Sequence, residues 1–136
     1  MKRISFVFFS LLLGLSWTRA THAAFDGSSP LLCVPIEIME CAADEGCFES
    51  TAEVASIPQF IRIDFGKMKA SGTLENGAVR EVDIERMERE NGMLVLQGGQ
   101  QGRGWTVTIG EDTGRMTLTA SGDRYGFIVF GACITP

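Results

Sequence analysis

The sequence predicts an all-β domain: a small antiparallel up-and-down β-barrel of about eight strands, or a β-sandwich, stapled by disulfides. Three observations predict it. Short segments alternate apolar and polar residues with a period of two, the signature of half-buried antiparallel strands. Glycine-bearing turn signals separate those segments at short intervals. Four cysteines, Cys33, Cys41, Cys47 and Cys133, lie within that patterned region.

Residues 1–23 stand apart from the pattern. Lys2 and Arg3 form a short basic region, Ile4 to Leu15 is apolar apart from Ser5, Ser10 and Gly14, and Thr21-His22-Ala23 offers small residues for cleavage. This is the layout of a secretory signal peptide. The apolar run is too short to span a bilayer comfortably. No cysteine sits at the cleavage site, so no stable membrane anchor is expected after processing. Residues 24–136 then form a single β domain in a periplasmic or secreted protein.

The strands are expected in the following order. Leu31 to Glu40 is the first. Gln59 to Phe65 is the second, with Ile61, Ile63 and Phe65 facing inward. Between them, Cys41 to Pro58 reads as an acidic loop with at most one helical turn, because Ser50 and Glu53 have capping-box spacing. Lys69 to Glu75, Val79 to Glu88 and Met93 to Gln97 follow. They are joined by Asn76-Gly77 and Asn91-Gly92, pairs suited to type I′ turns. Val79 to Glu88 alternates Val82 with Ile84 but is rich in Glu and Arg, so it reads as an exposed strand. Trp105, Val107 and Ile109 alternate with threonines, as do Met116, Leu118 and Ala120 after the turn at Gly110 to Gly114. The last strand, YGFIVFGACI, is apolar on both faces and so pairs centrally or closes the structure.

Four cysteines allow three pairings. Cys41 and Cys47 bracket a short loop that closes locally, which leaves Cys33 on the first strand to meet Cys133 on the last. On the chain-entropy model the long bridge contributes about 4 to 5 kcal/mol and the short one about half of that. A redox or zinc site is the rival, but the paired CxxC spacing of such sites is absent.

Charge and composition exclude several functions. The full chain carries twelve bases and seventeen acids, and the leader holds three of the bases and none of the acids. The mature domain is therefore strongly acidic and has no basic face for nucleic acid. His22, the sole histidine, lies in the leader, so processing leaves no imidazole for a Ser-His-Asp triad or a histidine-ligated metal. No cofactor or catalytic residue is identified. Glu40, Asp44, Glu45, Glu49 and Glu53 crowd one region, but the DxDxDG order of a calcium loop is missing.

Two segments are candidates for partner contact. QGGQQGRGW, residues 97–105, combines glycines, amides, Arg103 and Trp105. It reads either as a polar binding rim or as bulges where a strand bends. Trp105 shares parity with Val107 and Ile109 and is expected in the core. The second segment is Ser121-Gly122-Asp123-Arg124-Tyr125, which suits a hairpin turn. Ser121, Gly122 and Tyr125 also match the SGxxY element that it resembles, that of the membrane-bound inhibitors of c-type lysozyme. Those are small bacterial envelope proteins with an eight-stranded barrel and a disulfide. The resemblance implies inhibition of a cationic cell-wall hydrolase, with Ser121 and Tyr125 at the contact. The family's second element, a Tyr followed by Thr-Lys-Gly, has no counterpart in GFIVFGACITP.

The sequence thus points to an exported, non-enzymatic accessory or binding protein whose partner is a small ligand or an envelope protein. Inhibition of a lysozyme-like hydrolase is the alternative, and a small carboxylate-based hydrolase is the third reading. Intact-mass analysis of protein recovered from an expressing bacterium should show a chain beginning at Ala24 or Phe25. Retention of Met1 would contradict the leader.

Overall fold

The computed structural model describes residues 25–136, so the expected leader lies outside the described residues. Ten strands form: β1 (Leu31–Ala42), β2 (Gly46–Ser50), β3 (Ile61–Asp64), β4 (Lys69–Thr73), β5 (Val79–Asp83), β6 (Arg86–Glu90), β7 (Met93–Gln100), β8 (Arg103–Gly110), β9 (Arg115–Ser121) and β10 (Tyr125–Ile134). No helix occurs among the described residues. All pairings are antiparallel and belong to one sheet, in the order β5-β4-β3-β1-β10-β9-β8-β7-β6, with β2 added to β1. The single sheet curls into a half-barrel and does not split into the two facing sheets of a sandwich.

The first and last strands carry the longest ladder. β1 pairs with β10 from Leu32↔Ile134 to Ala42↔Tyr125, with one irregularity between Pro35 and Glu37. Cys33 lies directly opposite Cys133 in this ladder and is bonded to it. Cys41 lies opposite Cys47 across the β1–β2 hairpin and is bonded to it in turn. Both expected bridges are therefore present. β10 is central, as its two apolar faces require. Val129 and Cys133 point into the core, while Ile128, Phe130 and Ile134 remain exposed outside.

Alternation builds the interior. Leu31, Cys33, Ile63, Ile84, Leu94, Leu96, Val107, Ile109, Met116 and Cys133 form the main core cluster. Ile38, Ala55, Ile57 and Val129 form a second cluster, and Ile61 and Leu118 touch both. Each fully buried Leu or Ile contributes about 1.5–3 kcal/mol relative to exposure.

Several local expectations are corrected. Cys41 to Pro58 is not all loop, because Gly46–Ser50 forms β2. Asp44 and Gly46 adopt positive φ (73° and 85°), which turns the chain tightly enough for Cys47 to face Cys41. Ser50 does not cap a helix; its hydroxyl donates to Glu40 Oε1 at 2.5 Å. Instead Thr51 Oγ1 accepts from Val54 N at the start of a single turn. Asn76-Gly77 is not a type I′ turn. Only Gly77 has positive φ, and Gly77 N bonds Leu74 O, the pattern of a type I turn followed by a left-handed glycine. Asn91-Gly92 does have both residues at positive φ.

The expected strand at Val79 to Glu88 is split. Ile84 N donates to Met68 O on one side, and Glu85 N donates to Gln97 O on the other. In two residues the chain leaves one edge of the sheet and joins the opposite edge, which makes the sheet barrel-like. The seam between β5 and β7 is stitched by side chains. Gln100 Nε2 donates to Glu81 O at 3.1 Å, and Gly99 N donates to Glu85 Oε1 at 3.2 Å.

The glycine-rich segment contains no bulge. β7 and β8 pair without a register shift from Met93↔Gly110 to Gln100↔Arg103. Gln101 and Gly102 make the turn, both at positive φ. Gly98 is required by close approach: a Cβ there would lie 2.5 Å from Trp105 Cζ2 and 2.7 Å from Asp83 O. Trp105 thus covers Gly98 at the seam. Gly98→Ala should lower stability by about 1–3 kcal/mol, as overpacking does, read as a shifted denaturant midpoint. Gly104, where a Cβ would meet nothing within 4 Å, is the control. Gly104→Ala should change stability by no more than about 0.5 kcal/mol.

Candidate functional site

The inward-facing stripes of two strands end in arginine. On β8 the inward residues run Ile109, Val107, Trp105 and then Arg103. Arg80 and Val82 of β5, with Ile84 beyond it, repeat the pattern. Strand period alone places each guanidinium at the same end of the barrel as the β7–β8 and β9–β10 turns. Below them lies a cavity of about 150 Å³, lined by apolar side chains including Ile61, Ile63, Leu96, Val107, Leu118 and Phe127. Its wall includes the small residues Ala70 and Ala120, while Gly72 is packed closely by Pro58, 2.4 Å from where a Cβ would lie. The mouth is polar and carries Arg80, Gln100, Gln101, Arg103 and Ser71. No acidic residue lines this cavity, although the chain is rich in acids.

Both arginines are held from one side. Arg80 Nη1 donates to Ser56 O at 2.9 Å. The loop carrying Ser56 is itself anchored by Ala55 and Ile57 in the second core cluster. Arg103 lies over the Tyr125 ring, with Cζ 5.6 Å from the centroid, a cation–π contact of about 0.5–1 kcal/mol at an exposed site. Arg103 makes no ion pair among the described residues.

Tyr125 is half-buried, and its ring meets Phe127 edge-on at 6.2 Å. Its hydroxyl donates to Glu40 Oε2 at 2.9 Å. Glu40, an inward residue of β1, is 6% exposed and accepts from Ser50 as well. Its carboxylate is thereby occupied. Burial, with the Glu40 hydrogen bond and charge added, pushes the Tyr125 phenol above its ordinary value of 10.0.

The sequence-predicted contact residues are partly united. Arg103 and Tyr125 stand together beside the mouth. Ser121 is exposed and lines a different, shallow hollow of about 420 Å³ on the outer face, with Gln97, Thr106 and Thr119. Trp105 reaches both hollows. Its buried Nε1 has no hydrogen-bond partner among the described residues, at a cost of about 1–3 kcal/mol for a buried donor left unmade. The acidic residues between Glu40 and Glu53 are dispersed. Glu40 is inside, Asp44 pairs with Arg124, and no group of three or more metal-ligating side chains gathers among the described residues.

Sequence reasoning included Gln100 among the amides of a possible rim and Glu40 in an acidic cluster, but it missed Arg80 as a site residue. The available signal was parity: Arg80 shares its face with Val82 and Ile84, and Gln100 shares its face with Leu94 and Leu96. Opposite the mouth, Arg89 pairs with Glu111 at 2.5 Å, and that hydrogen bond holds the Glu111 carboxyl below its ordinary range.

No protein-family model matches this chain, and neither the characterised proteins nor the solved structures with which it was compared include a significant match.

Tyr125 is the sole tyrosine, so its ionisation can be followed directly at 295 nm. The native midpoint should lie above 10, and Glu40→Gln should bring it part of the way back, since burial remains. The raised value means that this contribution to stability is complete below pH 10 and is lost as pH rises through the native midpoint. A native midpoint at or below 10 would contradict the buried contact.

Proposed function

We propose that this protein is an exported, non-enzymatic binding protein of the bacterial envelope that takes a small, largely apolar ligand into the barrel. The observation that carries this reading is the cavity of about 150 Å³, apolar inside and polar at its mouth. Pockets with apolar walls and a few placed polar groups are the usual form of small-molecule sites. A cavity of this size matches one that accepts benzene in another protein, so the ligand portion inside has about six non-hydrogen atoms.

The leader-like segment and the two disulfides support an oxidising compartment, periplasmic or extracellular. The absence of catalysis remains part of the proposal and rests on the mature chain's lack of histidine and on the occupied state of Glu40. The lysozyme-inhibitor resemblance draws less support from geometry. Ser121 faces outward, but the Tyr125 hydroxyl is turned inward to Glu40, which leaves only the ring to a partner.

Ligand-dependent thermal unfolding tests the cavity. Toluene or benzyl alcohol should raise the midpoint of the oxidised protein, by an amount equivalent to about 2.7 kcal/mol at a hundred times the dissociation constant. Ala120→Leu, which fills part of the cavity, should remove most of that rise. The absence of any rise at saturating toluene, with the fold intact, would refute the reading.

A further inference from the structure

Building on the cavity reading, we propose that the mouth selects an anion: Arg103 and Arg80 together receive the carboxylate of a small aromatic or branched acid whose apolar part fills the cavity. The first support is composition at the site. Two arginines and two glutamines stand at the mouth, and no carboxylate lines the cavity, in a chain where acids outnumber bases. Elsewhere Arg86, Arg89 and Arg124 pair with Glu88, Glu111 and Asp44. Arg80 and Arg103 have no acidic partner among the described residues.

The second support is how the two guanidinium groups are held. Arg80 uses one of its five N–H donors on Ser56 O. The remaining donors are free, and the arginine is oriented by a loop anchored in the core. Arg103 Cζ lies 5.6 Å from the centroid of the Tyr125 ring, and its N–H groups have no protein acceptor among the described residues, so they stay open to a ligand. A planar carboxylate accepts two parallel N–H bonds from such a fork. Tyr125 is in turn fixed through its hydroxyl to Glu40. Arg103 is therefore braced by a chain of contacts that ends in the buried layer, a preorganisation that lowers the entropy lost on binding.

The size of the cavity limits the acid. A space that takes about six non-hydrogen atoms suits a phenyl ring or a branched chain of similar bulk, with the carboxylate left at the mouth. A long acyl chain would not fit. The overall negative charge opposes approach of an anion only at long range. Within the roughly 8 Å screening length at physiological salt, the two guanidinium groups that line the mouth dominate.

Calorimetric titration of the purified, oxidised protein with benzoate, benzyl alcohol and benzylamine tests this. The three probes share a ring and differ in the charge of the attached group. Benzoate should bind about tenfold or more tightly than the alcohol, as a charge-assisted contact implies, and benzylamine should bind most weakly. Arg103→Gln should erase the preference for benzoate over benzyl alcohol, and since Arg103 is exposed its loss leaves the core intact. Arg80→Gln should weaken benzoate binding in the same direction. Equal or tighter binding of the alcohol would overturn anion selection and leave the cavity reading standing. Full retention of the benzoate preference in both arginine variants would also overturn it. Failure of all three probes to bind at millimolar concentration would overturn the cavity reading and this inference together.

Discussion

The pairing of the first strand with the last is the constraint on which the rest of the structure depends. β1 and β10 are separated by almost the whole described chain, yet they share the longest ladder in the sheet. Bringing them together costs loop-closure entropy that no local contact repays. The Cys33–Cys133 bond removes much of that cost by restricting the unfolded chain. With β10 held beside β1, β9 and β8 follow on one side and β3 and β4 on the other. Without it the same hairpins would form an open ribbon, with two long edges and no enclosed space.

Closure on the far side is of another kind. β5 and β6 are consecutive in the chain but lie at opposite ends of the hydrogen-bonding order. The transfer at Ile84 and Glu85 replaces a continuous ladder with a seam that Gln100, Glu85 and the Trp105 ring bridge. Backbone ladders are uniform along a strand, whereas a seam of side chains depends on individual residues. That is why Gly98, which no turn requires, is fixed by the approach of Trp105. It is also why Gln100 reaches across to the Glu81 carbonyl. Where the ladder is incomplete, long polar side chains satisfy the exposed backbone groups.

How much of this was legible in the sequence depended on whether the signal was local. Trp105, Val107 and Ile109, and then Met116 and Leu118, alternate cleanly, and their strands lie where that alternation puts them. The span of β10 and the placement of both cystine pairs were legible for the same reason: strand parity and chain position decide them. β2 was not, because Phe48 is its only large apolar residue and no alternation can be read from one side chain. The Gln101-Gly102 turn was hidden because the surrounding glycines admit a bulge as readily as a hairpin. The cavity was the least legible feature. Its small-residue lining comes from Ala70 and Ala120, on strands far apart in sequence. Arg103 was singled out for its unusual neighbours, but its companion Arg80 came from a segment that read only as exposed. Topology alone brings the two to one cavity mouth.

The two cystines differ in when they become possible. A chain that emerges N-terminus first presents Cys33, Cys41 and Cys47 long before Cys133. Cys41 and Cys47 are six residues apart and can close as soon as both have emerged. Cys33 must wait for the last strand, with its proper partner a hundred residues away. Were the small ring to close first, Cys33 would be left with Cys133 as its one remaining partner, so the hairpin at the barrel mouth bears on the larger closure as well as on its own loop.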